Sequence, residues 1–526
     1  MIKNFKWLLL VSLSFVACNN DDEVMIVSNS SDGLPLTAGS ANFAKYVALG
    51  DSFAAGYSDG ALFIQGQEGA YTNVMAQQFA LVGGGAFTTP LMADNIGGFS
   101  VGGNQIPQFP TRFYFFPGST TVAAGPVNVS GVTKNIYGST VAGPSNNMGV
   151  PGAKCINLVM PGYGSSLGNP YFTRFASSPG TTVLADALTQ APTFFSLWIG
   201  GNDVLDYALS GGDRALASIT PSAGGAGVGF DASYNVLVNQ LTANGSKGVV
   251  ANLAYITALP NFTTIPLNPI APYTYFVDGD ELKTSRVVSP GDIATINALN
   301  AQLYGPLKQI LTALNVTNRI DLLSTTTANP VIIKDESLPD LSASITLVAQ
   351  NSGNPQLIAL AGYLGATFGK VRQTKTGDLI PLKTQGVIGT PASLPPGIPS
   401  LLGAYGITYP LEDKHVLIPS EIAEIKVATD AYNVTIKAVA DSKGLAFVDM
   451  KSVLEQIGNG GITANGFTLT NTFITGGTFS TDGIHPSPRG YAMIANKFIG
   501  AINMTYGSNL KGVDLSKYRI LFPQSL

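Results

Sequence analysis

Lys45-Tyr46-Val47-Ala48-Leu49-Gly50-Asp51-Ser52 is the stretch on which the fold turns. Lys45 to Leu49 is a short apolar run ending at Gly50, the form of a buried strand that feeds a turn. Runs of the same kind follow. Thr193 to Ile199 stops at Gly200-Gly201, Gly248 to Ile256 stops near Pro260, and Leu445 to Asp449 follows a long helical stretch. Cys155 to Met160 reads as a candidate fifth strand, without a clear place in the sheet. Continuously apolar strands are buried on both faces, which is the mark of a parallel sheet covered by helices.

Helical periodicity is clearest from Glu421 to Ser442, where Ile422, Ile425, Ala428, Ala431, Ile436, Ala438 and Val439 favour one side. Pro419-Ser420-Glu421 gives start signals and Gly444 follows the end. Asp292 to Leu314 has a similar pattern, and a last helix is expected from about Pro488, a residue suited to the first turn, to Ile502. The fold class is therefore α/β with a mostly parallel sheet. That core needs well under half of the chain. The remainder lies in Gly/Pro/Ser/Thr-rich segments, chiefly about 62–143 and 316–409. Structureless loops beyond about 15 residues are uncommon in compact domains, so these insertions are expected to carry small sheets or helices and to cover the site. Leu357 to Phe368 is apolar, too short to cross a bilayer, and expected in the core of its insertion.

Lys3 and Lys6 precede the apolar run Trp7 to Ala17, which has the length of a signal peptide. The run ends at Phe15-Val16-Ala17-Cys18, which resembles a bacterial lipobox in which Cys18 carries lipid and becomes the new N-terminus. Asn19-Asn20-Asp21-Asp22-Glu23 resembles the acidic tag of surface-exposed lipoproteins, and a solvated linker is the alternative. The expected organisation is a signal peptide at 1–17, a lipidated flexible linker at 18–42, one domain at 43–505 and a tail at 506–526. The implied location is the bacterial outer membrane, at the cell surface or facing the periplasm. With Cys18 lipidated, Cys155 is the only thiol left and no internal disulfide forms. Charged residues make up 11% of the chain, against about 25% in ordinary soluble domains. A net charge of −4 offers no basic field for nucleic acid. Neither histidine pairs nor cysteine clusters occur at metal-ligand spacing, so a structural zinc site is not expected.

Only two histidines are present, His415 and His485. A serine hydroxyl is a poor nucleophile until a base accepts its proton, the base needs an orienting group, and the oxyanion needs placed donors. Ser52 follows a strand at the carboxyl edge of the sheet, where α/β active sites collect. His485 sits between Ile484 and Pro486 in a loop before a helix, and Asp482 lies three residues earlier on that loop. His415, in the charged stretch Glu412-Asp413-Lys414-His415, is expected to be a solvated loop residue.

Leu49-Gly50-Asp51-Ser52, Asn147-Met148-Gly149-Val150-Pro151-Gly152, Gly200-Gly201-Asn202-Asp203 and Asp482-Gly483-Ile484-His485-Pro486 resemble, in order and context, the sequence blocks of the SGNH or GDSL-type esterases and lipases. The resemblance implies a flavodoxin-like core, a five-stranded parallel sheet between helices. It makes Ser52 the nucleophile, His485 the base and Asp482 its orienting partner. Ser52, Gly152 and Asn202 would form the oxyanion hole, with Gly149 as the alternative glycine. Phe53 stands where the family name implies leucine. A rival serine exists in Gly164-Ser165-Ser166-Leu167-Gly168, which satisfies the Gly-x-Ser-x-Gly elbow, but Gly168-Asn169-Pro170 interrupts the helix that elbow requires.

The expected activity is extracytoplasmic hydrolysis of a carboxylic ester through an acyl-enzyme, a reaction that needs no metal or organic cofactor. The partners expected are a small-molecule, lipid or glycan ester and, through the N-terminal lipid, a membrane. An O-acetyl or feruloyl esterase acting on polysaccharide, and a non-catalytic glycan- or lipid-binding lipoprotein on an esterase scaffold, are the alternatives. The acyl and alcohol parts of the substrate are open at this stage.

Overall fold

Four consecutive side chains, Tyr46 to Leu49, are buried because their strand lies inside a sheet covered on both faces. The computed structural model describes residues 30–119, 124–270 and 290–526, with the strands Thr274–Asp278 and Glu281–Ser285. The expected signal peptide and Cys18 lie outside the described residues. The core strands are β1 (Tyr46–Gly50), β2 (Asn147–Gly149), β3 (Phe194–Trp198), β4 (Lys247–Ala251) and β5 (Ala446–Val448). They form one five-stranded sheet in the order β5-β4-β3-β1-β2, and every pairing is parallel.

Register decides where the site lies. Gly50 pairs with Gly149 on one side and with Trp198 on the other, so three strands end level. The loops that follow carry Ser52, Gly152 and Asn202, and they rise side by side at the carboxyl edge. The chain passes from β1 to opposite sides of itself to make β2 and β3, and ligand sites favour such a switch point.

The helices that position the site are α1 (Ser52–Ala55), α2 (Tyr71–Ala80), α3 (Asn202–Leu209), α4 (Phe230–Thr242), α5 (Pro419–Lys443), α6 (Met450–Gly458) and α7 (Pro488–Tyr506). α2 and α7 pack together on one face, while α4 and α5 pack together on the other. The helix expected at 292–314 runs as Pro290–Leu299, a π turn at Asn300–Tyr304 and Gly305–Ala313. Pro306 has no N–H to give, which accounts for the break in the regular ladder.

The fifth strand is not Cys155 to Met160. It is β2, and Cys155–Val159 coils as a 3-10 turn. The physical reason is competition from side chains: the Lys154 N–H donates to Asn157 Oδ1 and the Cys155 N–H to Asp203 Oδ2, so donors a strand would need are already taken.

The long segments carry structure of their own. Phe113–Phe116 pairs with Gly125–Asn128 in the first. In the second, Ser342–Gln350 packs on Pro355–Phe368, and Ile332–Lys334 pairs with Val371–Gln373 over a separate apolar cluster. Leu364 and Phe368 belong to that cluster. Buried Arg372 is held there between Asp335 and Asp378. The termini are tied together: Ser31 N–H donates to the Asn509 carbonyl and Thr37 N–H to Asn509 Oδ1. The expected linker is therefore docked from about Ser30 onward rather than free, and in the tail Leu515 and Phe522 are buried.

Candidate active site

Asp51 caps α1 by accepting the Phe53 N–H at 2.9 Å, which fixes Ser52 in the first turn at the sheet edge. The Ser52 Oγ lies 2.8 Å from His485 Nε2, although 433 residues separate them. On the other side of the ring, His485 Nδ1 lies 2.7 Å from Asp482 Oδ2. The structure thus brings together the serine, histidine and aspartate singled out in the sequence. Ser52 is 6% exposed and His485 9%, so bulk water reaches this relay at its rim only.

Asp482 is held by more than the histidine. Its Oδ1 accepts the N–H groups of Ile484 and His485 and the Ser480 hydroxyl, and its Oδ2 also accepts the Gly60 N–H at 2.9 Å. Burial alone would raise this carboxyl, but His485 and the donors around it hold it below the usual carboxylate value. Gly483, at φ +70°, makes the turn between the two residues, and a side chain there would meet the Asn261 backbone at 2.8 Å. Ser480, Asp59 and Gly60 were not legible as site residues. Asp59 accepts the N–H and hydroxyl of Thr481, and its own N–H donates to Ser480, so the turn after α1 is stitched to the histidine loop. Ser58-Asp59-Gly60 has the residue types of a turn, and nothing in it points to a partner more than 400 residues away.

The third component is a pocket of donors. Gly152 has φ +78° with open space where a side chain would stand, so its N–H is presented by a left-handed turn that favours glycine. Among the described residues neither the Ser52 nor the Gly152 N–H has a protein acceptor. The Asn202 Nδ2 donates one hydrogen to the Ala153 carbonyl at 3.0 Å, which aims the carboxamide and leaves its second hydrogen unused by that bond. Asp203 then pins the same loop through the Cys155 N–H at 2.8 Å. Burial pushes the Asp203 carboxyl up to about 7 and that of Asp51 up to about 6. Gly149 is different: its N–H donates to Asn147 Oδ1, and its Cα packs on α1. Gly152, not Gly149, has the free donor.

The other sequence candidates lie elsewhere. Ser166 is exposed in a turn, next to a Leu167 that is 97% exposed. His415 is buried rather than solvated: its Nδ1 accepts the Glu412 N–H, and the Tyr405 ring lies against it. Hydrogen bonding within its own turn folds the ring inward, and burial, with Lys414, holds it below the usual histidine value.

Beside Ser52 opens an apolar pocket lined by residues including Phe53, Trp198, Leu253, Leu454, Ile484 and Met493, with Asp51 and Asn202 in the same wall. None of its lining comes from 62–143 or 316–409. The expectation that the long insertions cover the site does not hold for this pocket, whose apolar walls come chiefly from the loop after β4, α6 and α7, with residues of the catalytic turns between them. The first insertion reaches the other flank. Tyr57, whose ring lies 4.6 Å from that of His485, packs against Tyr171, which meets Phe99. Among the described residues, the one carboxylate group able to share a cation is Glu336, Asp413 and Glu421, and it contributes nothing to these walls. No protein-family model, curated protein or solved structure matches this chain.

Proposed function

We propose that this chain is a serine carboxylic-ester hydrolase of the SGNH or GDSL type, carried by a lipid on Cys18 at the bacterial outer membrane. The observation that carries the reading is the Asp482–His485–Ser52 relay, with contacts of 2.7 and 2.8 Å, beside two unused backbone donors and an aimed carboxamide. The strand order β2-β1-β3-β4-β5 is that of flavodoxin-like sheets, which supports the family's fold.

The chemistry follows from the geometry. Asp482 accepts a hydrogen bond from the Nδ1–H of His485, which fixes the tautomer whose Nε2 turns a lone pair to the Ser52 hydroxyl. As Ser52 Oγ attacks the acyl carbon, its proton passes to Nε2, and Asp482 stabilises the imidazolium. The carbonyl oxygen becomes an oxyanion that the N–H groups of Ser52 and Gly152 and the Nδ2 of Asn202 are placed to receive. His485 then gives the proton to the departing alcohol, and an acyl-serine remains. Water, deprotonated by the same Nε2, releases the acid and restores the enzyme. Ser52→Ala is expected to abolish hydrolysis of p-nitrophenyl butyrate; turnover retained within tenfold of wild type overturns the reading.

A further inference from the structure

The pocket next to Ser52 has a composition that the reaction itself does not require. Its wall draws on the β1–α1 turn (Phe53), the end of β3 (Trp198), α3 (Leu205), the loop after β4 (Leu253, Ile256, Leu259), α6, the histidine loop (Phe479, Ile484) and α7 (Met493, Ile494). On α6 the lining residues are Met450, Val453, Leu454 and Ile457. They recur at i, i+3, i+4 and i+7, so this helix turns one apolar stripe, about 10 Å long, toward the cavity. The cavity holds about 90 Å³, several times the roughly 10–15 Å³ that a single water takes on the same measure. The polar side chains in the wall are Asp51 and Asn202 beside the nucleophile, and Thr478.

Which half of an ester enters follows from the position of the donors. Asn202, offered above as a donor to the carbonyl oxygen, is itself part of the pocket wall, and so is Phe53, the residue after the nucleophile. The carbonyl oxygen belongs to the acyl half. The leaving alcohol takes its proton from His485, whose ring lies 4.6 Å from that of Tyr57, and the Tyr57 hydroxyl donates to the Gly60 carbonyl at 2.6 Å. Tyr57 does not line the pocket, and neither do Ser52 and His485 themselves; their chain neighbours Asp51, Phe53, Ile484 and Pro486 do. An acetyl group would leave the apolar walls largely wetted, and a feruloyl group would bury its phenol and ether oxygens among side chains that offer them few partners.

We propose that this cavity is an acyl-chain pocket and that the natural substrates are esters of unbranched fatty acids of about eight carbons, the extended length of the α6 stripe. The inference rests on the esterase reading above, and it chooses between the acyl-lipid and acetylated- or feruloylated-glycan substrates that the sequence leaves nearly level. Each methylene moved from water into such a wall is worth about fourfold in binding.

The test is the dependence of kcat/KM on chain length for p-nitrophenyl acetate, butyrate, octanoate and palmitate, with methyl octanoate and octyl acetate as a second pair. The expected result is a rise of about 100-fold or more from acetate to octanoate, with methyl octanoate preferred to octyl acetate. Leu454→Trp and, separately, Val453→Phe fill the cavity and are expected to lower the octanoate-to-acetate ratio by at least tenfold. A flat profile, a preference for acetate, a preference for octyl acetate, or a ratio unmoved in both variants overturns the pocket assignment. Those outcomes leave the esterase reading intact so long as turnover is lost in Ser52→Ala. Absence of any Ser52-dependent turnover overturns the esterase reading itself, and the pocket assignment with it.

Discussion

Replacing Asp482 by asparagine is the perturbation whose consequence the structure dictates most fully. The two carboxylate oxygens accept five hydrogen bonds, three on Oδ1 and two on Oδ2. An amide keeps one acceptor and turns the other into a donor. If its oxygen stays with Ser480 and the N–H groups of Ile484 and His485, the new NH2 faces the Gly60 N–H and His485 Nδ1. The Nδ1 must then accept, so the ring proton moves to Nε2, where it points at Ser52 and blocks the transfer. The opposite flip keeps the ring tautomer but sets an NH2 against three donors. The first arrangement sacrifices fewer bonds, so kcat is expected to fall by about 10⁴, the scale found when a triad aspartate becomes asparagine. KM is expected to stay within about threefold, because Asp482 lies behind the ring. One charge-assisted bond becomes a donor–donor contact, which costs about 2 kcal/mol of stability. The assay is steady-state hydrolysis of p-nitrophenyl butyrate with chemical denaturation alongside. A fall in kcat of less than tenfold in a variant that remains folded would refute the claim that Asp482 sets the tautomer.

Asn202→Ala removes one oxyanion donor while leaving the relay, so kcat is expected to drop by about 10²–10³; an effect below threefold in the same assay removes Asn202 from that role. The two glycines of the second block should separate cleanly. A Cβ on Gly149 would lie 2.3 Å from the Ala55 nitrogen, so Gly149→Ala is expected to cost about 1–3 kcal/mol through forced backbone movement. A Cβ on Gly152 meets nothing within 4 Å, so Gly152→Ala should lose only about 1–2 kcal/mol of left-handed strain yet lower kcat more than KM; thermal melts with kinetics on both variants check the contrast. Stability should fall as pH rises from 5 to 8. Burial raises the folded-state carboxyls of Asp51 and Asp59 to about 6 and of Asp203 to about 7, above their ordinary value of 3.8. Their contribution is fully present below about pH 4 and is lost as pH climbs through those values. His415, held low, acts in the opposite sense with one proton against several. Tm measured across this range should be higher at the acid end, and Asp203→Asn should narrow the difference; a Tm that climbs toward pH 8 contradicts the assignment.

What the sequence disclosed and what it hid divide along physical lines. Strands β1, β3, β4 and β5 were readable because a buried parallel strand has to be apolar on both faces, and Val249, Val250 and Leu197 meet that demand without help. β2 was not readable: it is three residues long, begins with a polar asparagine, and owes its place to pairing with Ala48, Leu49 and Gly50 rather than to its own character. Cys155 to Met160 looked more like a strand, but Asp203, distant in sequence, took the Cys155 N–H. Ser52, Asp482 and His485 were visible because their motifs are short and local. The Gly60 and Ser480 contacts that fix Asp482 were not, since they exist only once the two ends of the chain meet. His415 misled for a similar reason, since a charged neighbourhood in sequence says nothing of which way the ring turns. The apolar pocket is the extreme case. Its walls come from segments between Asp51 and Ile494, each of which reads alone as ordinary core.

The central claim is that the Ser52 hydroxyl is the activated nucleophile. The direct measurement is labelling of the whole protein with a fluorophosphonate, followed by mass spectrometry of its peptides. A single adduct on the peptide carrying Ser52, lost in His485→Ala as well as in Ser52→Ala, is the result predicted. An adduct on Ser166, or none while ester turnover persists, would contradict the account.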